Sequence, residues 1–84
     1  MSHFVPPKFF PGFPGLKIVR SKTSVSRGGL LRKRWKDADG NLYEWDYQHG
    51  RLEKYTKRGR HLGEFDPETG LQTKLADPSR SIEP

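Results

Sequence analysis

Asp46, His49 and Glu53 fall within one short stretch, YEWDYQHGRLEKY from Tyr43 to Tyr55. Two carboxylates and an imidazole at this spacing are the groups from which acid and base catalysis is assembled, because each can hold or release a proton near neutral pH once its environment shifts it. A carboxylate placed beside another carboxylate is pushed toward its protonated form, and an anion beside His49 favours the imidazolium. With RNA as substrate, one carboxylate would take the 2′-hydroxyl proton, the imidazolium would protonate the departing 5′-oxygen, and an arginine would neutralise the phosphorane. Such a reaction calls for no metal and no cofactor. Two other arrangements use the same residues: a solvated charge network with Arg51, Lys54 and Arg60, or a divalent metal held by Asp46, His49 and Glu53.

These residues must be positioned by short β-strands. From Leu30 onward, β-rich runs (30–36, 42–48, 51–56, 61–66 and 71–75) alternate with DADGN, HG, KRGR and PETG, each turn carrying a glycine. The pattern predicts a mainly β domain, an antiparallel meander of about five strands. If His49 and Gly50 are the central pair of a tight turn, Gln48 opposes Arg51, Tyr47 opposes Leu52 and Asp46 opposes Glu53. Alternation then puts Glu44, Asp46, Gln48, Arg51, Glu53 and Tyr55 on one face and Tyr43, Trp45, Tyr47 and Leu52 on the other, the face that packs on the core.

Before the meander the composition differs. Residues 1–15 hold four of the seven prolines and four of the five phenylalanines, which predicts an irregular or short helical arm packed on the sheet. Residues 16–29 read as a short strand, Leu16 to Val19, followed by a mobile basic loop. The expected organisation is therefore a single domain over 1–84, with the arm at 1–15, the strand and loop at 16–29 and the sheet at 30–84.

The chain has 84 residues and no cysteine, so neither disulfides nor cysteine metal sites reinforce a thin core. No apolar run approaches the roughly 18 residues of a membrane span, and the start lacks a signal-peptide pattern. The net charge of +6 is unevenly spread: residues 1–36 carry +9 with no acidic residue, and residues 37–84 carry −3. The basic part suits a polyanion. In the RKRWK run, Arg32, Arg34 and Lys36 would face one way as phosphate contacts while Lys33 and Trp35 face the other. Tyr55 offers a base-stacking ring on the polar face. His61 reads as a surface or packing histidine, and His3 carries no signal.

Taken in order, the glycines at 28 and 29, RKRW, YEWD, QHG, LE, Tyr55, HLG, FDP, TG and DPSR (77–80) resemble the cytotoxic ribonuclease domain of ribosome-inactivating colicins and related pyocin-type bacteriocins, over about two thirds of the chain. The resemblance implies a strongly twisted antiparallel sheet and cleavage of small-subunit ribosomal RNA at the decoding site, leaving a 2′,3′-cyclic phosphate. It implies Glu53 as general base, His49 as general acid, Arg80 as transition-state stabiliser, Asp46 orienting His49, and Tyr43 in the active site. Arg32, Lys33, Arg34 and Lys74 would hold the RNA backbone. It further implies the ribosome small subunit as target, a cognate acidic immunity protein as partner, and delivery within a larger toxin that acts in the cytoplasm of target bacteria, this chain being an excised C-terminal domain.

Tyr43 sits uneasily in that scheme, because alternation puts it opposite Asp46 unless a bulge brings it round. The loop before Arg60 is one residue shorter than the pattern, and the Phe/Pro arm has no counterpart in it. Two competing functions remain open at this point: a non-catalytic basic β-module binding structured RNA, and a metal-dependent DNA nuclease.

Overall fold

The computed structural model describes residues 4–24 and 30–84. Six strands form one antiparallel sheet in sequence order: β1 (Lys17–Val19), β2 (Arg34–Lys36), β3 (Leu42–Asp46), β4 (Arg51–Tyr55), β5 (His61–Phe65) and β6 (Gln72–Lys74). The expected meander is present with one strand more, because Lys17–Val19 joins it through β2. Strands are shorter than the β-rich runs, and the described residues contain no helix. The basic loop expected over 20–29 falls partly outside the described residues, as do His3 and the glycines at 28 and 29.

One face of the sheet is aromatic. Trp35, Tyr43, Trp45 and Leu52 are buried there with Phe10 of the arm, and Phe13, Leu16 and Tyr47 pack around them. Phe10 meets Trp35 edge-on at 4.9 Å, and Phe13 lies 5.3 Å from Tyr43. Edge-to-face aromatic pairs contribute about 0.5–1.5 kcal/mol beyond the area they bury. The proline-rich arm thus supplies the layer that a chain of this size cannot build from a second sheet.

Two backbone contacts strap the start of the arm to the β3–β4 turn. Phe4 N–H donates to the Tyr47 carbonyl at 2.8 Å, and Trp45 Nε1 donates to the Phe4 carbonyl at 2.7 Å. The Phe4 ring lies where a Cβ on Gly50 would stand, 2.9 Å away.

The β3–β4 register differs from the expected one. Asp46 pairs with Arg51, Trp45 with Leu52, Glu44 with Glu53, Tyr43 with Lys54 and Leu42 with Tyr55. The loop is therefore four residues, Tyr47 to Gly50, with Gly50 at φ +67 and its N–H on the Asp46 carbonyl at 2.9 Å. Asp46 is the reason. Its Oδ1 accepts the backbone N–H groups of Gln48 (2.8 Å) and His49 (3.2 Å), so the chain begins to turn two residues earlier than a His-Gly turn would require.

Candidate active site

The polar face carries a row of charge across five strands: Arg34 of β2 opposes Glu44 of β3, which opposes Glu53 of β4, which opposes Glu64 of β5, which opposes Lys74 of β6. All three glutamates are buried. Each is met by its own donors. Glu44 Oε2 accepts Arg34 Nε (3.1 Å), Arg34 Nη2 (2.8 Å) and the Thr23 hydroxyl, while Glu64 Oε1 accepts the Thr73 hydroxyl at 2.7 Å.

Glu53 is held by two residues from later in the chain. His61 Nε2 lies 2.7 Å from Glu53 Oε1, and Arg80 Nη1 donates to the same oxygen at 3.3 Å. The Asp77 backbone N–H donates to His61 Nδ1 at 2.9 Å. Because a backbone N–H only donates, Nδ1 accepts and Nε2 carries the proton that reaches Glu53. Both bonds land on Oε1, so among the described residues Oε2 accepts none. That leaves one carboxylate oxygen fixed and the other available to take a proton.

Arg80 spans from Glu53 to the Tyr55 hydroxyl, which accepts its Nη2 at 3.1 Å, and its side chain is 41% exposed. A recess of about 340 Å³ opens here between Thr56, Arg60, His61 and Arg80. Two of its walls are arginines, which suits a phosphodiester. Burial raises the Tyr55 phenol, the nearby Arg80 charge opposing this in part, so Tyr55 stays a neutral hydroxyl.

His49 stands at the turn with its ring half exposed and its Nδ1 2.7 Å from Asp46 Oδ2. Burial pushes the Asp46 carboxyl up, but the hydrogen bonds from the His49 ring and from the Gln48 and His49 backbone outweigh it, and the group lies below the usual carboxylate range. An ionised Asp46 accepts the hydrogen bond of His49 Nδ1–H, which orients the ring and leaves Nε2 free to face outward. The arrangement therefore pairs an oriented imidazole with a carboxylate that has one free oxygen, both on one face, with an arginine above the second. These are the parts of a general acid, a general base and an anion stabiliser.

Several expected site residues are placed differently. Asp46, His49, Glu53 and Arg80 share the polar face as expected, but Asp46 does not oppose Glu53. Tyr43 lies on the aromatic face and donates its hydroxyl to Asp37 Oδ2 at 2.9 Å, so no bulge brings it to the carboxylates. Burial and the Asp37 carboxylate push this phenol far above its ordinary value. Arg34, expected on the RNA backbone, is 2% exposed and committed to Glu44. Tyr55 is 2% exposed and its ring packs on His61 at 5.2 Å, which leaves no face for a base. Lys33 and Lys74 are exposed, and Arg32 is half buried.

His61, expected as a surface or packing histidine, is buried and packed on Tyr55, and it is also the donor to Glu53. The signal in the sequence was its position at the head of a strand two residues after a turn glycine, which puts it on the strand beside Tyr55. Glu64 was missed for a related reason: its register depends on irregularities in both ladders of β5.

A family model described as Cytotoxic matches residues 4–83. Over 73 residues, 84% of this chain, the sequence is 51% identical to colicin E3, 49% identical to cloacin and 48% identical to colicin-E6, all of Escherichia coli. The chain spans 13% of the length of each of these relatives. The chain belongs to the Cytotoxic family, the toxin domain of colicin-type bacteriocins.

Proposed function

We propose that this domain is a metal-independent endoribonuclease that cuts small-subunit ribosomal RNA at the decoding site and so blocks translation. The observation that carries the reading is the division of labour at Glu53: His61 and Arg80 hold Oε1 while Oε2 accepts no hydrogen bond among the described residues, and Asp46-bound His49 stands on the same face. In the reaction, Glu53 Oε2 takes the 2′-hydroxyl proton and the 2′-oxygen attacks the adjacent phosphorus. The P–O5′ bond breaks as His49 Nε2–H protonates the leaving oxygen. The products are a 2′,3′-cyclic phosphate and a free 5′-hydroxyl. Arg80 moves from Tyr55 toward the non-bridging oxygens, where its charge is worth most as the phosphorane forms.

The exposed Lys33 and Lys74, together with Arg32, supply phosphate contacts along the RNA backbone. An acidic immunity protein would be steered to the same basic surface. Delivery within a larger toxin into the cytoplasm of a target bacterium completes the reading, supported by relatives many times the length of this chain.

The test is incubation of intact bacterial ribosomes with the domain in the presence of chelator, comparing the parent with His49→Ala and Glu53→Gln. The expected result is a discrete 3′-terminal fragment of small-subunit RNA from the parent and none from either folded variant. Fragment release by the variants at the parent's rate would leave the polar face a charge network on an RNA-binding module.

A further inference from the structure

Asp46, His49 and Glu64 each offer one ligand atom, and the three atoms lie within 4.8 Å of one another. This is not the trio that the sequence suggested. Glu53 is turned to His61 and Arg80, and Glu64 of β5 comes to the Asp46–His49 pair instead.

Glu64 is 5% exposed, and its Oε2 is buried and accepts no hydrogen bond among the described residues. Lys74 Nζ stands 3.8 Å from that oxygen, an ion-pair distance beyond hydrogen-bond range, on a side chain that is 64% exposed and able to swing away. A buried carboxylate oxygen without a donor is costly, and a divalent cation is a partner that would satisfy it. The donor set of two carboxylates and one imidazole suits zinc and its first-row neighbours. Zinc bonds to such ligands are about 2.0–2.2 Å long, which sets tetrahedral ligand atoms roughly 3.4 Å apart, so Glu64 would draw closer while the Asp46–His49 contact of 2.7 Å opens slightly, and the exposed His49 ring is the part free to adjust. Asp46 is fixed by its own turn.

We propose that Asp46, His49 and Glu64 form a binding site for a divalent transition cation of the zinc class, and that its occupation silences the domain by engaging His49. The silencing rests on the ribonuclease reading; the binding does not. A cation on His49 either replaces the Nδ1 contact to Asp46 that orients the ring or covers Nε2, and in either arrangement the ring is no longer set to serve the leaving oxygen.

The first measurement is calorimetric titration of the whole chain with zinc chloride at neutral pH, for the parent, His49→Ala and Glu64→Gln, with thermal melting to confirm folding. His49 is half exposed, so its variant keeps the fold even if Glu64→Gln does not. The expected result is one zinc per chain, weakened at least about tenfold in each variant. Absence of binding by the parent, or parental affinity in either folded variant, overturns the site. The second measurement is the ratio of RNA cleavage rates with and without zinc. That ratio should fall steeply in the parent, recover with chelator, and stay near one for Glu64→Gln. A parent that binds zinc and cleaves unimpaired overturns the silencing, while a parent that never cleaves RNA removes the ribonuclease reading and leaves the calorimetry to decide the cation site.

Discussion

Glu44 and Glu53 stand directly opposite one another across β3 and β4, and both are almost wholly buried. Directly opposed like charges destabilise a strand pair. The pair persists because each carboxylate has its own cation: Arg34 for Glu44, which it meets through two nitrogens, and Arg80 for Glu53. The two cations are not alike. Arg34 is sealed in, whereas Arg80 is open to solvent and to a ligand.

Arg34→Ala should therefore be severely destabilising, since it leaves Glu44 buried without a counter-ion. Breaking a buried pair from one side costs about 3–5 kcal/mol, comparable to the whole stability of a small domain. Urea unfolding followed by tryptophan fluorescence measures it. A loss under about 1 kcal/mol would mean that Glu44 takes up a proton or reaches water with little penalty.

His61→Ala should cost both stability and activity. It removes the donor that holds the buried Glu53 carboxylate, a loss of about 1–3 kcal/mol for that group. If Glu53 is the base as proposed, cleavage should fall mainly in kcat with KM little changed, because His61 holds Glu53 rather than the RNA backbone. A change confined to KM would assign His61 to substrate binding.

Acid should loosen the β3–β4 turn through Asp46. Its folded-state pKa lies below the ordinary value of 3.8, so its contribution to stability is fully present above that value and is lost as pH falls through the folded pKa. Between pH 5 and pH 2 the parent should lose more stability than Asp46→Asn, which starts less stable but has no carboxylate to protonate. Parallel stability curves for the two proteins would show that the turn does not depend on that charge.

Gly50→Ala should destabilise by more than the about 1 kcal/mol that a glycine exchange costs elsewhere, because two penalties combine. The position has φ +67, and the new methyl would meet the Phe4 ring. Pairing it with Phe4→Ala should recover part of the loss in thermal melting; strict additivity of the two substitutions would show that ring and turn are not in contact.

The alternation of side chains was legible in the sequence, and it correctly divided the Tyr43–Tyr55 stretch into an aromatic and a polar face. Even the unease over Tyr43 was justified, because the pleat puts it where period two says. The partner of Glu53 was not legible. A His-Gly dipeptide reads as a two-residue turn, and only the hydrogen bonds from the Gln48 and His49 backbone to the Asp46 side chain make it a four-residue loop. A shift of two preserves the faces and changes every opposing pair. Arg34 was misread for a different reason: a run of basic residues looks like surface, and nothing local shows that Glu44 ten residues on will bury one of them. The neighbours of Glu64 are set by irregular pairing in both ladders of β5, which no local pattern encodes.

Every strand of the sheet pairs with its neighbour in sequence, a topology of short-range contacts that zips up quickly, hairpin by hairpin. The parts that complete the polar face arrive by another route. Asp77 and Arg80 come from the segment after β6, held by the Asp77 N–H on His61, the His61 N–H on the Arg80 carbonyl and a bridge between Arg60 and Ser81, and the turn bearing His49 is strapped by Phe4, more than forty residues away in sequence. Segments held by a few backbone bonds open at a lower free-energy cost than central strands, which stay protected from hydrogen exchange. The sheet can thus be folded and the site unarmed, so that inactivation on warming would run ahead of melting, and a protease nick in either segment would disarm the domain without unfolding it.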